Sequence, residues 1–340
     1  MSRGSSRAPA VALLMLCFSA PVPAEGFDVS RDDIQTFVDT MVNRHRFDRV
    51  ELTALLASAQ AQPGILEAIQ RPAERTLAWW EYRQRFLTPQ RIDGGVQVWR
   101  RHAAELARIS AQSGVPAEYL VAITGVETFY GRITGRYRVL DSLATLGFDY
   151  PPRSEFFRKE LEQFLMMARE EMLDPREPLG SYAGAMGIPQ FMPSSFRRFA
   201  VDGSGDGHRN LWQEGADVFA SVGNYLKEHG WRAGEPVLLE AYNQNPPDDP
   251  ATTKLALNDS VQSLQARGYV FQTTLPDTAR AMLVPAQLAE SLTWRVGFQN
   301  FYAITRYNRS PLYAMAVNDL AQQIAARFHA PAAASGGAQP

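Results

Sequence analysis

The sequence predicts a mainly α-helical protein of the α+β class, and three observations carry that prediction. Apolar residues recur at helical spacing through most of the chain, as in Phe156, Phe157, Leu161, Phe164, Leu165 and Ala168. After Gly234 the pattern changes to short apolar runs separated by Pro, Gly, Asn and Asp, which is how a small antiparallel sheet is written. The 340 residues are 45% apolar and 21% charged, so the chain can bury one large core or several smaller ones. A net charge of −2 gives no reason to expect nucleic acid as a partner. Five scattered histidines form no zinc-binding spacing.

Taken in order, Arg3 and Arg7 precede an apolar run from Ala8 to Ala20, and Val22-Pro23-Ala24 offers small residues for cleavage, so 1–24 reads as an export signal. Cys17, the only cysteine, follows Leu16 rather than a small residue, which favours a cleaved, secreted protein over a lipid-anchored one. A first helical domain spans 25–113. Its elements are Asp32 to Arg44, opened by Ser30 and Asp33 as an acidic capping box, then a break at Pro63-Gly64 and an aromatic segment from Thr76 to Phe86. Asp93-Gly94-Gly95 reads as a turn before an amphipathic helix over Val96 to Ser110.

Residues 114–234 form the second unit, with helices over Glu155 to Glu171, Ser194 to Ala200 and Asp217 to His229. Residues 235–297 hold the sheet, with strands expected at Val237-Leu238-Leu239, Lys254-Leu255-Ala256-Leu257, Tyr269-Val270-Phe271 and Ala281-Met282-Leu283-Val284. Residues 298–328 return to the helical core through a helix over Pro311 to Arg327, and 329–340 reads as a disordered tail.

Four stretches carry chemistry. The first runs from Val115 to Gly131. Pro116 suits a helix start, Gly131 suits a stop, and Glu127 shares a face with Leu120, Ile123, Thr124 and Tyr130. A carboxyl among such neighbours either finds a cation or keeps its proton near neutral pH, because desolvation penalises its charged form. The alternative is a structural Glu at the end of an apolar stripe. The second is the glycine-rich stretch Gly180 to Ser195. It lacks the Lys-Ser/Thr pair of a phosphate-binding loop, and its Gln190-Phe191 suits sugar hydroxyls and sugar faces. A tight turn into a helix at Pro193 explains the glycines equally well.

The third, Asp202 to Trp212, follows a calcium loop, with Asp202, Ser204 and Asp206 as side-chain ligands, His208 by its carbonyl and Gly207 in sixth place. Gln213 stands where the bidentate Glu belongs, so Glu214 or Asp217 would have to close the shell. The fourth, Phe298 to Tyr313, is dense in aromatic and amide groups and would line a groove or pack a core.

In combination these stretches resemble the lytic murein transglycosylase B family. The resemblance runs through Gly125-Val126-Glu127-Thr128, Gly184-Ala185-Met186-Gly187, Gln190-Phe191-Met192-Pro193-Ser194-Ser195, the Asp202–Trp212 loop, Ile304-Thr305-Arg306-Tyr307-Asn308 and Tyr82-Arg83-Gln84-Arg85-Phe86. It implies a lysozyme-like helical core, an N-terminal helical domain beside it and a small inserted β subdomain. It also implies a periplasmic, monomeric enzyme acting on peptidoglycan glycan strands, with cell-wall synthesis or remodelling proteins as possible partners.

Carried over, Glu127 is the single acid/base. Ser181, Gln190, Phe191, Tyr225, Tyr307, Asn308 and Tyr313 line the sugar subsites, and Tyr82 adds to them. A structural calcium falls on Asp202, Ser204, Asp206, His208 and Asp217. Where the family often has paired arginines, this chain has Pro152-Arg153, leaving Arg153 alone to meet a peptide stem or a sugar substituent. The activity implied is cleavage of the β-1,4 bond between N-acetylmuramic acid and N-acetylglucosamine with formation of a 1,6-anhydro end. A lysozyme-like hydrolase and a non-catalytic, calcium-stabilised wall-binding protein are the rival readings.

Overall fold

A computed structural model describes residues 26–70, 77–245 and 255–330. The export signal with Cys17, residue Lys254 and the tail beyond 330 lie outside these. The chain opens with α1 (Asp32–His45), α2 (Arg49–Ala57) and α3 (Pro63–Gln70), followed by α4 (Trp79–Phe86), α5 (Pro89–Arg101), α6 (Ala103–Ser113) and α7 (Ala117–Thr128). Next come β1 (Tyr137–Arg138), α8 (Val139–Asp149), a 3-10 turn at Pro151–Arg153 and α9 (Ser154–Glu170). The glycine-rich stretch lies between β2 (Leu179–Gly180) and α10 (Pro193–Phe199), and α11 (Ala216–Glu228) follows the acidic loop. The sheet region contains β3 (Leu238–Ala241), β4 (Asp259–Ser260), α12 (Val261–Ala266), β5 (Arg280–Gln287) and β6 (Leu292–Gly297). Last are α13 (Gln299–Tyr307) and α14 (Pro311–His329), which carries the helix two residues past the expected end.

The core is organised on α7. Every residue from Ala117 to Val126 is buried except Glu118, so this helix has no solvent face to advertise itself by periodicity. It runs antiparallel to α14: the Tyr119 hydroxyl donates to Asn318 Oδ1 at 2.9 Å near one end, and Tyr313 reaches Glu127 at the other. A two-residue ladder of β1 with β2 returns the chain to the end of α7. The larger sheet is antiparallel in the order β3-β6-β5-β4, with Leu239 opposite Val296 and Leu283 opposite Val296 on the other side.

Several sequence expectations are corrected. Asp93-Gly94-Gly95 is not a turn but lies inside α5. A Cβ on Gly95 would sit 2.4 Å from Ile324 and 2.7 Å from the Tyr130 hydroxyl, so the glycines are there for close packing. The expected helix over Val96 to Ser110 is divided at His102, whose ring bonds Glu105 and Glu214 at 2.8 and 2.9 Å. The acidic capping box does not form. Ser30 Oγ donates to Asp28 at 2.6 Å, and Asp33 is held by Arg31 at 2.9 Å. Pro63 opens α3, where its missing N–H costs nothing.

Two of the four expected strands fail. Residues 255–257 are irregular, and Tyr269 to Phe271 contributes only the bridge of Val270 to Tyr242. Helices α8 and α12 and strand β6 have no counterpart in the sequence reading.

Candidate active site

Helix α7 ends at Thr128, three residues before Gly131. Phe129 and Tyr130 take left-handed conformations, with φ of 53° and 60°, directly after Glu127-Thr128. Bulky residues there are strained and persist only when their surroundings fix them. The Tyr130 ring fills the cradle of Gly94, Gly95 and Gly125, and its hydroxyl donates to the Arg91 carbonyl at 2.7 Å. Tyr130 therefore does not share the helical face of Glu127; it anchors the helix end that carries it. Thr128 Oγ1 donates to the Ile188 carbonyl at 2.9 Å and ties that end to the glycine-rich loop.

Glu127 is only partly exposed. Its Oε1 accepts a 2.5 Å hydrogen bond from the buried Tyr313 hydroxyl, and no cation neutralises it among the described residues. Burial lifts its pKa from 4.5 to about 7, against a smaller lowering by the Tyr313 hydrogen bond. Burial, then the charge of Glu127, holds the Tyr313 phenol well above its ordinary range, so it stays a donor. Tyr82 feels the same two influences in the same order, which sets α4 beside the acid.

An aromatic wall continues from there. Tyr307 stacks on Tyr313 at 6.4 Å, Tyr225 lies 4.7 Å from Tyr307, and Phe191 lies 5.6 Å from Tyr225 and 5.8 Å from Tyr307. Tyr307 donates to the Pro189 carbonyl and Tyr225 to the Arg306 carbonyl, both at 2.7 Å, so both phenols fix backbone. Phe191 and Tyr313 are each 2% exposed and offer no open ring face to a sugar.

Gln190, itself at φ 51°, donates its amide to the Thr134 and Gly187 carbonyls at 3.0 and 2.9 Å and leaves Oε1 as a spare acceptor. Ser181 Oγ accepts the N–H of Ala183 and Ala185 at 3.3 and 3.0 Å, leaving its proton to donate. It has no bond to Glu127. Asn308 is exposed just past α13.

Arg153 does not join this group; its guanidinium lies over Phe156 and Phe157 at 4.4 and 5.0 Å. The sequence reading misses the supports: Thr128, Thr134 and Tyr130 as an anchor. Their partners lie tens of residues away, and no local pattern signals them.

In the acidic loop, carboxylate oxygens of Asp202, Asp206 and Asp217 come within 4.8 Å of one another. None of them pairs with a lysine or arginine among the described residues, as suits a cation site. Of the two candidates to close the shell, Asp217 is in the cluster. Glu214 is bound instead by His102 and Arg101. Asp217 also accepts the N–H of Gly203, Ser204 and Asn210 at 2.8–2.9 Å, which holds the loop's two ends. Ser204 donates to Asp202 at 3.1 Å, and the exposed His208 donates its N–H to Asp206 at 2.9 Å. These residues fit a calcium ion.

A carboxyl that keeps its proton near neutral pH, held by a phenol beside a run of aromatic rings, suits an enzyme that breaks glycosidic bonds. The chain belongs to the family defined by the transglycosylase SLT domain, which it matches over residues 30–322. It is 40% identical over 350 residues to the membrane-bound lytic murein transglycosylase B of Escherichia coli (strain K12), covering 93% of this chain and 96% of that protein.

Among solved structures, the catenated lytic transglycosylase SltB1 from Pseudomonas aeruginosa superposes with a TM-score of 0.85 at 47% identity, over 88% of this chain and 98% of that one. The Escherichia coli lytic transglycosylase Slt35 in complex with calcium gives 0.80 at 42% identity, over 90% and 96% of the two chains. The protein is thus a peptidoglycan lytic transglycosylase with a lysozyme-like fold.

Proposed function

We propose that Glu127 is the single acid and base of a cleavage that ends in a 1,6-anhydro sugar. The observation that carries this is the carboxyl held by one phenol in an aromatic wall, with no second carboxylate among the described residues close enough to act on its ionisation. Protonated Glu127 gives its proton to the oxygen linking N-acetylmuramic acid to N-acetylglucosamine, and the C1–O bond breaks. The sugar's own N-acetyl group stabilises the cationic C1, as in substrate-assisted glycosidases. Glu127, now a carboxylate, takes the proton from the C6 hydroxyl of the same sugar while O6 bonds to C1. No water is consumed, and the acid ends as it began.

Tyr313 orients Glu127, and Gln190 Oε1, Ser181 and Asn308 supply polar contacts to the sugars. Phe191, Tyr225 and Tyr307 support the wall, and Tyr82 closes it from α4. Calcium at Asp202, Ser204, Asp206, His208 and Asp217 would bind the loop to α11 and take no part in the chemistry. The enzyme works in the periplasm on this reading, in keeping with the export signal. No helix among the described residues is long and apolar enough to cross a membrane.

Weighing the fragments of a sacculus digest tests the chemistry. Anhydro ends are one water lighter than reducing ends, and a digest of reducing ends alone would make the protein a hydrolase.

A further inference from the structure

Arg295 lies on β6 and is only 9% exposed. A guanidinium taken that far from water needs a carboxylate, and Asp319 on α14 supplies one, with its two oxygens 2.9 and 3.0 Å from Nη1. The same guanidinium lies over the ring of Trp79, 5.3 Å from its centroid, and Trp79 is the buried first residue of α4. We propose that Arg295 and Asp319 are positioning residues for the acid: they set α4 and α14 against each other, and so place Tyr82 and Tyr313 about Glu127. The proposal rests on the reading of Glu127 as the catalytic acid.

A buried ion pair adds little stability over two apolar side chains of the same size, because both charges give up their water. What it adds is direction. The planar guanidinium meets Asp319 at its edge and Trp79 on its face, which fixes β6, α14 and α4 relative to one another. Glu240 also approaches Arg295, to 4.0 Å, but its side chain is 91% exposed and solvent screens it.

From Asp319 a chain of hydrogen bonds runs on to the helix that carries the acid. Asp319 Oδ1 accepts from Asn318 Nδ2 at 3.1 Å, and Asn318 Oδ1 accepts from the Tyr119 hydroxyl at 2.9 Å. The Tyr119 oxygen accepts in turn from Gln322 Nε2 at 3.1 Å. Tyr119 is buried in the first turn of α7. Each of the three helices so joined holds one group of the site. Glu127 is on α7, Tyr313 is on α14 about 9 Å from Asp319, and Tyr82 is on α4 one turn beyond Trp79.

The acid is sensitive to how these helices lie. Only burial and the Tyr313 hydrogen bond act on its proton. The groups that feel its charge are phenols, Tyr82 on α4, Tyr225 on α11, Tyr307 on α13 and Tyr313 on α14, and burial keeps each of them neutral. If α4 and α14 part, the carboxyl gains water and no other charge takes over the loss.

The test replaces the pair by apolar side chains, Arg295→Met together with Asp319→Leu, so that neither charge is left alone. Carbon-13 resonance of the Glu127 carboxyl, assigned by its loss in Glu127→Gln, reads the acid directly, and the pH profile of kcat/KM on sacculi reads it in action. Wild type should titrate near pH 7. In the double variant the midpoint should fall by about one pH unit and kcat about tenfold, while the melting temperature stays close to that of wild type. Arg295→Lys keeps a charge for Asp319 but has no plane to lay over Trp79. It should move the midpoint the same way by less, and it carries the test if the double variant fails to fold.

A folded variant whose carboxyl titrates as in wild type overturns the proposal, even if it works more slowly, because the pair would then be holding the fold and not the acid. Resonance needs no turnover. A midpoint that moves in a protein that never cleaves glycan would therefore end the proposed function and leave the positioning role standing.

Discussion

In the loop after Ala200, the Asp202 carboxylate accepts N–H groups from Gly205 at 2.6 Å and Gly207 at 2.8 Å, with Asp206 and Ser204 adding weaker bonds. At the end of α7, Glu127 accepts one hydrogen bond, from a phenol. Hydrogen bonds from Gly207 and Gly205 hold Asp202 below the ordinary carboxylate range, whereas burial raises Glu127 to about 7. The same functional group is thus made a standing anion in one place and a proton carrier in the other. Donor number and desolvation decide which of the two it becomes. A cation needs the anion, and a leaving oxygen needs the proton, so each setting fits the chemistry around it.

Glu127→Gln breaks the comparison on the proton side and carries the largest expected effect. The amide still accepts from Tyr313 but has no proton to give, so turnover should fall by about a thousandfold or more while glycan binding persists. Release of soluble fragments from sacculi measures it, and appreciable residual cleavage would remove Glu127 from its role. Stability should move the other way. A carboxyl whose pKa is raised on folding costs nothing below pH 4.5 and progressively more as pH rises through about 7. The variant should match wild type at pH 4 and exceed it at pH 8 by on the order of 2–3 kcal/mol. Parallel melting curves across that range would reject a raised acid.

Tyr313→Phe sharpens the same side with a smaller effect. The phenol donates to Oε1 and so favours the ionised form, and its loss raises the acid further. Wild-type kcat/KM should decline as pH rises through about 7, and in the variant that decline should begin at higher pH. The rate below the decline should drop about tenfold, because the carboxyl is no longer held in line. A pH profile identical to wild type would mean that the hydrogen bond does not act on the acid.

What is legible in the sequence follows from the range of the forces involved. Glu155 to Glu171 and Asp217 to His229 agree with the structure to within a residue at each end, because one apolar face against one polar face writes a helix locally. Helix α8 escapes for the opposite reason, since every residue from Val139 to Phe148 is buried. Gly94-Gly95 misleads because a glycine inside a helix costs on the order of 1 kcal/mol, and its compensation comes from Tyr130, far along the chain. Strand β6 carries Thr293 and Arg295 among its apolar residues, and the buried Arg295 finds its closest carboxylate in Asp319 on α14, at 2.9 Å.

In the site, Glu127 can be singled out from its own helix face. Tyr313, 186 residues away, cannot be assigned to it by any spacing, and only a likeness to a known family brings the two together. The choice between Glu214 and Asp217 likewise needs the fold, because His102 and Arg101 claim Glu214 from another helix.

The smallest expected effect tests the other half of the comparison. If the acidic loop is a cation site with a structural role, chelation should lower the melting temperature by a few degrees, and added calcium should restore it. The size follows from linkage: a ligand at a hundred times its Kd adds about 2.7 kcal/mol. Asp217 is a poor residue to mutate for this, because its three backbone donors would face an amide and the loop would suffer even without metal.

Asp206 is exposed and within the cluster, so Asp206→Asn should abolish the calcium response while leaving the chelated protein's melting temperature where it was. The pH at which activity declines should not move in either experiment, because Glu127 owes its raised pKa to burial and its lowering to Tyr313 alone, with no contribution from the loop. A decline that shifts with calcium would mean that the two carboxyl sites are coupled and that the loop does more than hold the fold.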